Sequence, residues 1–287
     1  MKPLFFIISL FPKILYVCLV DLYIYIRIYK VFSFYKVTKV NLEIAYPELS
    51  KSEIELISKL SIRESLISGF ETLYTWGTST HQSNNQLFKI ENNFLLSKTY
   101  EEQNGLIIVS IHNRSVDMLL RWINSKIKTV SLYKKIKINA LEKFVKKNRE
   151  YGGSKSYETS IGGVRKILQA LKSKDAICFA ADQVPQKGLG KYIKLYNRDA
   201  YTTTLVQSLA VKTGAPVLYI FINSNKDGFL YVSVKQCGNN IYDDSKHQLL
   251  LNKDIEKIIN VRPIDYSWEY KRFKRHRPPD IDPYRSI

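Results

Sequence analysis

Acidic residues are scarce in this sequence. The 287 residues include 26 Asp and Glu against 44 Lys and Arg, which gives a formal net charge of +18 at pH 7. A surplus of this size calls for an anionic partner, and nucleic acid, an acidic protein and an anionic membrane surface all qualify. The apolar fraction of 45% excludes a disordered chain.

Cysteine and histidine are also rare, with three and four copies. Cys18, Cys178 and Cys237 have neither paired nor metal-type spacing, so we interpret them as reduced, mostly buried thiols on the cytosolic side. The histidines form no H-E-x-x-H motif and no Cys/His cluster, which argues against zinc, and we predict no metal site. Internal repeats and low-complexity segments are absent. The chain has no G-x-S-x-G motif either, so no serine nucleophile of that kind is expected.

One long apolar run stands at the N-terminus, from Leu4 to Phe32. Charged residues interrupt it, so it is an imperfect membrane span, and no small-residue cleavage site follows it. Its tyrosines suit a membrane interface, and the basic residues on its C-terminal flank favour the cytoplasmic side. We predict a membrane anchor over residues 1–35, either spanning or interfacial, with an aromatic-rich core helix as the alternative.

Helical and buried-strand patterns alternate through the rest of the chain, which we predict to be a single domain, 36–287. Ser50 and Glu53 form a capping box, which indicates a helix start. Continuous apolar runs, typical of buried parallel strands, occur at Leu106 to Ile111, in DAICFAA and in PVLYIFI. The alternation predicts an α/β fold with a central, mostly parallel sheet flanked by helices.

Other segments receive weaker assignments. TVSLY is a candidate strand, and GFLYVSVKQ a hairpin partner at the sheet edge. We predict helices over 115–124, 141–147, 162–172, 201–213 and 252–260. YGGSKS and VPQKGLGK contain glycine and are interpreted as loops.

A histidine ends the first clear strand. His112 follows the apolar run, and Asp117 falls near the first turn of the next helix. Ligands of open α/β sheets bind beyond the carboxyl ends of strands. The Asp117 carboxylate can accept a hydrogen bond from one ring nitrogen of His112 and leave the other as a base that activates a substrate hydroxyl. Taken alone, however, H-x4-D is a common spacing and favours an ordinary loop histidine, with Asp117 stabilising a helix N-terminus.

An ordered series of motifs resembles the lipid A biosynthesis acyltransferases, a branch of the lysophospholipid acyltransferase superfamily. After the apolar anchor the series runs NLEIAYPELSKSE, SIHNRSVD, NREYGG, GGVRKILQALKSKDAICFAADQ, TTTLVQSLAVKTGAPVLYIFI and YSWEYKRFKRHRP. Each segment alone is weak evidence, and the resemblance rests on the order in which the segments occur. It implies a glycerol-3-phosphate acyltransferase-like fold, with the central sheet flanked by helices.

The resemblance implies an acyl transfer without a cofactor. The donor would be a thioester of acyl carrier protein, or of coenzyme A, and the acceptor a hydroxyl of a lipid A precursor, in late acylation of lipopolysaccharide. His112 would act as general base and Asp117 would orient it. Arg149 would stabilise the oxyanion or bind a phosphate, although a solvated surface charge is an equal alternative.

The same resemblance supplies candidate substrate-binding residues. Asn113 and Arg114 lie inside the histidine motif and would touch the acceptor head group. Asp182 and Gln183 end a buried strand, where they would shape the acceptor pocket or tie down the following loop. Thr203 would contact the substrate, or else cap a helix.

The implied partners are all compatible with a basic protein. They are acyl carrier protein, a membrane glycolipid and the anionic cytoplasmic face of the inner membrane, and the basic stretches 134–149 and 271–277 would serve them.

Other functions stay open. Asp117 replaces the glutamate that most members carry and matches glycerolipid acyltransferases, so a lysophospholipid, an ornithine lipid or another glycolipid is an alternative acceptor. The absence of an F-P-E-G-T-R-type motif argues against a phosphatidic acid synthase. An inactive membrane scaffold conflicts with the presence of both His112 and Asp117. A nucleic-acid-binding protein would lack any recognisable binding motif and would leave the apolar N-terminus unexplained.

Overall fold

Helices form the first part of the chain. The structure is a computed structural model and describes residues 2–243, 247–277 and 279–287. It begins with α1 (Lys2–Ser9), α2 (Lys13–Tyr25), a 3-10 helix (Ile28–Val31), α3 (Ser33–Ala45), α4 (Lys51–Gly77) and α5 (Thr80–Asn84). α4 starts at the predicted capping box, because Ser50 Oγ accepts the Glu53 N–H while the Glu53 carboxylate accepts the Ser50 N–H at 2.8 Å.

Strands and helices then alternate, as predicted. In chain order they are β1 (Leu87–Glu91), α6 (Asn93–Glu101), β2 (Leu106–Ser110), α7 (Val116–Lys126), β3 (Thr129–Tyr133), α8 (Asn139–Arg149), β4 (Lys155–Glu158), α9 (Ile161–Lys172), β5 (Ala176–Ala180), β6 (Gly190–Leu195), β7 (Arg198–Thr203), α10 (Leu205–Thr213), β8 (Val217–Ser224), β9 (Leu230–Gln236) and α11 (His247–Val261). Short 3-10 helices occupy Tyr151–Gly153, Asn239–Tyr242 and Pro263–Asp265.

The central sheet has seven strands in the order β1-β9-β8-β2-β5-β3-β4. All neighbouring pairs are parallel except β8 and β9, which are antiparallel. The predicted α/β class with a mostly parallel sheet is therefore confirmed. GFLYVSVKQ forms β9 and is the hairpin partner of β8, but β1 pairs with its other side, so the edge position was wrong.

Helices cover both faces of the sheet, which explains why its central strands are continuously apolar. Ile107 and Val109 of β2 join one core with residues of α3, α9, α10 and α11. Leu106 and Ile108 join the opposite core with residues of α6 and α7. Successive strand residues point to opposite faces, so a strand buried on both sides needs an apolar residue at every position.

Sequence patterns missed a two-stranded sheet formed by β6 and β7. We predicted a loop followed by a helix from Tyr201, whereas Tyr201–Thr203 finish β7 and α10 begins at Leu205. The hairpin turns at Tyr196 and Asn197, both in the left-handed region with φ of 48° and 62°. No glycine marks this turn, so the usual hairpin signal is absent.

Charged residues inside the N-terminal apolar run pair with α4. Lys13 Nζ lies 3.3 Å from Glu71 Oε1, and Arg63 Nε lies 2.5 Å from Asp21 Oδ1. Across the residues that the structure describes, no one helix combines the length and the hydropathy needed to cross a bilayer. α1 and α2 meet these criteria only together, and they are bent by 84° at their junction.

Candidate active site

His112 and Asp182 meet at the carboxyl edge of the sheet. β2 and β5 are parallel neighbours in which Ser110 is paired with Ala180. His112 and Asp182 each follow that pair by two residues, so the register brings them together. His112 Nδ1 lies 2.8 Å from Asp182 Oδ1, and the backbone N–H of His112 donates to Asp182 Oδ2 at 3.2 Å.

The hydrogen bonds of the His112 ring define its protonation. Nδ1 donates to the carboxylate, so the neutral ring carries a lone pair on Nε2. The side-chain amide of Gln183 lies 3.2 Å from that nitrogen, at a position from which its N–H can donate. In this tautomer Nε2 is the atom available to take a proton from a bound hydroxyl.

The two charges of the pair shift each other's pKa. Burial lowers the pKa of the His112 imidazole, but the adjacent Asp182 carboxylate outweighs burial and raises that pKa above its ordinary value. Burial raises the pKa of Asp182, and the imidazole together with the His112 backbone N–H outweighs it, so that pKa is lowered. The pair is therefore a carboxylate beside an imidazole that accepts protons readily.

Asp117 occupies a different position from the one we predicted. It lies in the first turn of α7, after the Ser115 cap, and holds Arg149 through both carboxylate oxygens. Arg149 Nε lies 2.7 Å from Oδ1 and Arg149 Nη2 lies 3.0 Å from Oδ2. The carboxylate that hydrogen-bonds the His112 ring is Asp182, because the parallel register places it beside the ring while α7 directs Asp117 toward α8.

Arg149 is fixed at the end of α8. Its backbone carbonyl accepts a hydrogen bond from the Asn124 side chain at 2.8 Å, and its guanidinium lies 5.7 Å from the centre of the Tyr133 ring. Burial lowers the pKa of Arg149, and Asp117 outweighs burial and raises it. Arg149 is therefore held in place by a carboxylate and is not the solvated surface charge that we gave as the alternative.

A cavity of about 760 Å³ opens beside His112. Its apolar part lies between α7 and the strands β3 and β5, and its rim is basic. The apolar lining includes Val116, Leu119, Leu120, Ile123, Leu132 and Phe179, and the basic rim includes Lys134, Lys135, Arg149, Lys274 and Arg275. His112 and Gln183 lie in the same lining. A cavity of this size, with apolar walls and a few polar groups, is typical of a ligand site.

Asn113 and Arg114 do not line this cavity, which corrects our expectation that they touch the substrate. Asn113 is fully buried and its amide donates to Asn223 Oδ1 at 2.6 Å. Arg114 is 4% exposed and pairs with Glu64 and Glu71 of α4. Both side chains follow the strand end but turn into the protein, where buried polar groups need partners.

Of the remaining predicted residues, two line the cavity and one contacts His112 from behind the cavity wall. Gln183 and Thr203 line the cavity, and Thr203 Oγ1 also accepts the Leu205 N–H at the start of α10. Asp182 is 2% exposed and contacts the ring of His112. Sequence patterns missed Tyr270, whose hydroxyl accepts the Val184 N–H at 3.0 Å and whose ring lines the cavity.

Comparison with known proteins identifies the family. A family model described as bacterial lipid A biosynthesis acyltransferase matches residues 4–275. The chain belongs to this family. The resemblance predicted from the ordered motifs is therefore confirmed, and the protein is an acyltransferase. The matched range includes His112, Asp182 and the whole cavity rim.

Curated relatives of this acyltransferase are similar over most of their length. A lipid A biosynthesis palmitoleoyltransferase of Escherichia coli (strain K12) is 25% identical over 243 residues, 83% of this chain and 78% of that protein. A lipid A biosynthesis acyltransferase of Shigella flexneri shows the same identity and coverage. A lipid A biosynthesis lauroyltransferase of E. coli is 21% identical over 262 residues, 86% of this chain and 80% of that protein.

Proposed function

We propose that the protein transfers a fatty acyl chain from a thioester of acyl carrier protein to a hydroxyl of a lipid A precursor. Family membership and the activities named for the relatives support the lipid A acceptor. The observation that carries the proposal is the position of His112. Its ring, whose Nε2 is not bound by the Asp182 carboxylate, lines a cavity with an apolar interior, which suits an acyl chain, and a basic rim, which suits the phosphates of the acceptor.

In the proposed reaction His112 Nε2 takes the proton of the acceptor hydroxyl as the hydroxyl oxygen attacks the thioester carbonyl carbon. Asp182 holds the ring and stabilises the imidazolium. The carbonyl oxygen becomes an oxyanion, which Arg149 stabilises from its fixed place on Asp117. The intermediate collapses, the C–S bond breaks, and the thiolate leaves with the proton returned by His112. The products are an ester and a free thiol.

We also propose that the domain works at the cytoplasmic face of the inner membrane. α2 supports this, since Leu15, Leu19 and Leu22 are about half exposed, with exposures of 49%, 56% and 56%. Their spacing places them on one side of the helix, opposite Val20 and Ile24, which are buried against α4. An exposed apolar stripe beside basic residues fits the interface of an anionic bilayer.

The test is a transfer assay with purified full-length protein in detergent. Acyl carrier protein and coenzyme A thioesters serve as donors, lipid A precursor and lysophospholipid as acceptors, and mass spectrometry detects the product. We expect the ester of the lipid A precursor with the carrier-protein donor. The His112→Ala variant should lose turnover and keep its fold. Transfer to lysophospholipid alone would replace our acceptor by the alternative one, and full activity of His112→Ala would refute the mechanism.

A further inference from the structure

Three cations of the cavity rim, Lys134, Lys274 and Arg275, have no carboxylate partner among the described residues. Lys274 and Arg275 line the cavity, and within the described ranges neither forms an ion pair. Arg275 Nη1 is buried without a hydrogen-bond acceptor among those residues. The other two cations of the rim are neutralised, since Arg149 is held by Asp117 and Lys135 Nζ lies 3.1 Å from Glu158.

Aromatic rings fix two of these three cations, Lys274 and Arg275, in place. Lys274 Nζ lies 4.8 Å from the centre of the Tyr270 ring, and Arg275 Cζ lies 5.1 Å from the centre of the Tyr201 ring. The ring faces attract positive charge without neutralising it. The geometry therefore positions two charges on one cavity and leaves both available to an anion.

The loop beside His112 holds these rings. The Tyr270 hydroxyl accepts the Val184 N–H, and the Tyr201 hydroxyl accepts the Gly188 N–H at 2.9 Å and the Gly190 N–H at 3.1 Å. Because this loop follows Asp182 and Gln183 directly, the two cations are positioned relative to the proposed base. A preorganised pair of charges loses little entropy when an anion binds.

We propose that Lys274 and Arg275 form a phosphate-binding subsite of the cavity. A guanidinium and an ammonium on the same cavity can together contact the several acceptor oxygens of a phosphate, and the arginine can donate to two of them at once. The inference rests on the proposed acyl transfer, in which phosphates occur on the glycolipid acceptor and on the pantetheine arm of the donor. It also separates two roles: Lys274 and Arg275 bind phosphate, while Arg149, already balanced by Asp117, stabilises the oxyanion.

The first experiment does not depend on turnover. Inorganic pyrophosphate is titrated by calorimetry into the full-length protein in a neutral detergent, which excludes attraction to anionic lipid. The double variant Lys274→Gln, Arg275→Gln should bind it about tenfold or more weakly, because it loses the charge-assisted hydrogen bonds of both side chains. Lys212→Gln, which is exposed on α10 and lies outside the cavity lining, is the control for the change in net charge.

The second experiment measures KM for donor and acceptor separately in the same variants. A rise of the acceptor KM in the double variant assigns the phosphate to the glycolipid, and a rise of the donor KM assigns it to the pantetheine arm. If the double variant unfolds, Lys274→Gln alone replaces it, since that side chain is exposed, and a smaller rise of the same KM is expected.

The outcomes separate the two proposals. Absence of transfer by the unmodified protein, with pyrophosphate binding that depends on Lys274 and Arg275, would refute the acyl transfer and keep the subsite. Transfer with unchanged KM values and unchanged pyrophosphate binding in the double variant would refute the subsite. An equal loss in the Lys212→Gln control would refute it as well, because the effect would then follow net charge alone.

Discussion

Asp182 is the residue whose replacement tests the proposed base most directly. His112 must be neutral to take a proton, and Asp182 raises its pKa above the ordinary value of 6.5. We therefore expect kcat/KM to fall as the pH decreases through a pKa above that value. Asp182→Asn should shift this acidic limb of the pH profile to lower pH, because it removes the charge that favours the imidazolium. It should also lower the maximal rate about a hundredfold or more. The measurement is kcat/KM against pH for both proteins.

The control for this pH profile is a carboxylate replaced elsewhere on the cavity rim. Glu158→Gln removes a charge that is paired with Lys135 and not with His112. It should leave the limb in place. A limb that stays unchanged in Asp182→Asn would contradict the assignment of Asp182 as the partner of the base.

Asp117 and Arg149 should behave as one unit. Asp117→Asn leaves a partly buried guanidinium without its bidentate partner, and Arg149→Gln removes the proposed oxyanion ligand, so each should lower kcat substantially. The double variant should be little worse than the worse single variant, because both changes disable the same contact. The rates of the four proteins measure the coupling.

If the losses of rate in the two single variants add up in the double variant, Asp117 and Arg149 do not act as one unit. That result would indicate that Asp117 acts independently of Arg149, as in our initial prediction that Asp117 orients His112. Combining Asp182→Asn with Arg149→Gln provides the comparison, since those residues contact different groups.

The sequence was sufficient to place His112 at a strand end but not to choose its partner. His112 and Asp182 both follow a continuously apolar segment, and this shared position was the sequence feature that could have indicated their pairing. Choosing between Asp117 and Asp182 required the register of β2 against β5, which depends on contacts between residues 70 positions apart. Local spacing favours the nearer acid, whereas the sheet brings the distant one into contact.

At the scale of elements, α2 tests the proposed membrane contact. Leu15→Ser, Leu19→Ser and Leu22→Ser together remove its exposed apolar stripe and keep the face that packs on α4. The variant should bind anionic vesicles much more weakly, because binding scales with buried apolar area. Co-sedimentation with vesicles measures the effect.

The control for α2 carries the same number of substitutions elsewhere. Leu56→Ser, Val211→Ser and Leu249→Ser replace apolar side chains with exposures of 54%, 46% and 47% outside α2. Their vesicle binding should match that of the unmodified protein. Equal losses in both triple variants would show that α2 has no special role.

Elements were predictable where burial imposed a pattern. β2, β5 and β8 are buried at nearly every position, and their apolar runs identified them. β1 and β4 are edge strands with mixed patterns, and β6 alternates exposed lysines with buried positions over a short length, so their sequences resemble loops. Tertiary pairing, which a local window does not contain, decides such segments.

At the scale of the whole molecule, Arg114 joins three parts of the fold. Its backbone has φ of 48°, a strained value for a residue with a side chain, and its guanidinium contacts Glu64 and Glu71 of α4. Its Nη1 also lies 3.5 Å from Asp265 Oδ1, and the same carboxylate accepts the Ser224 N–H at the end of β8. The loop after β2, the long helix α4 and the segment after α11 thus meet at one buried cation.

Arg114→Met should therefore destabilise the protein by about 3–5 kcal/mol, because it leaves buried carboxylates without a compensating charge. Urea denaturation of both proteins measures the free energy of unfolding. Arg285→Met, which replaces an exposed arginine near the C-terminus, should change it by less than about 0.5 kcal/mol. A loss below about 1 kcal/mol in Arg114→Met would mean that the buried acids gain protons or water instead, and that α4 is held to the sheet by its apolar contacts alone.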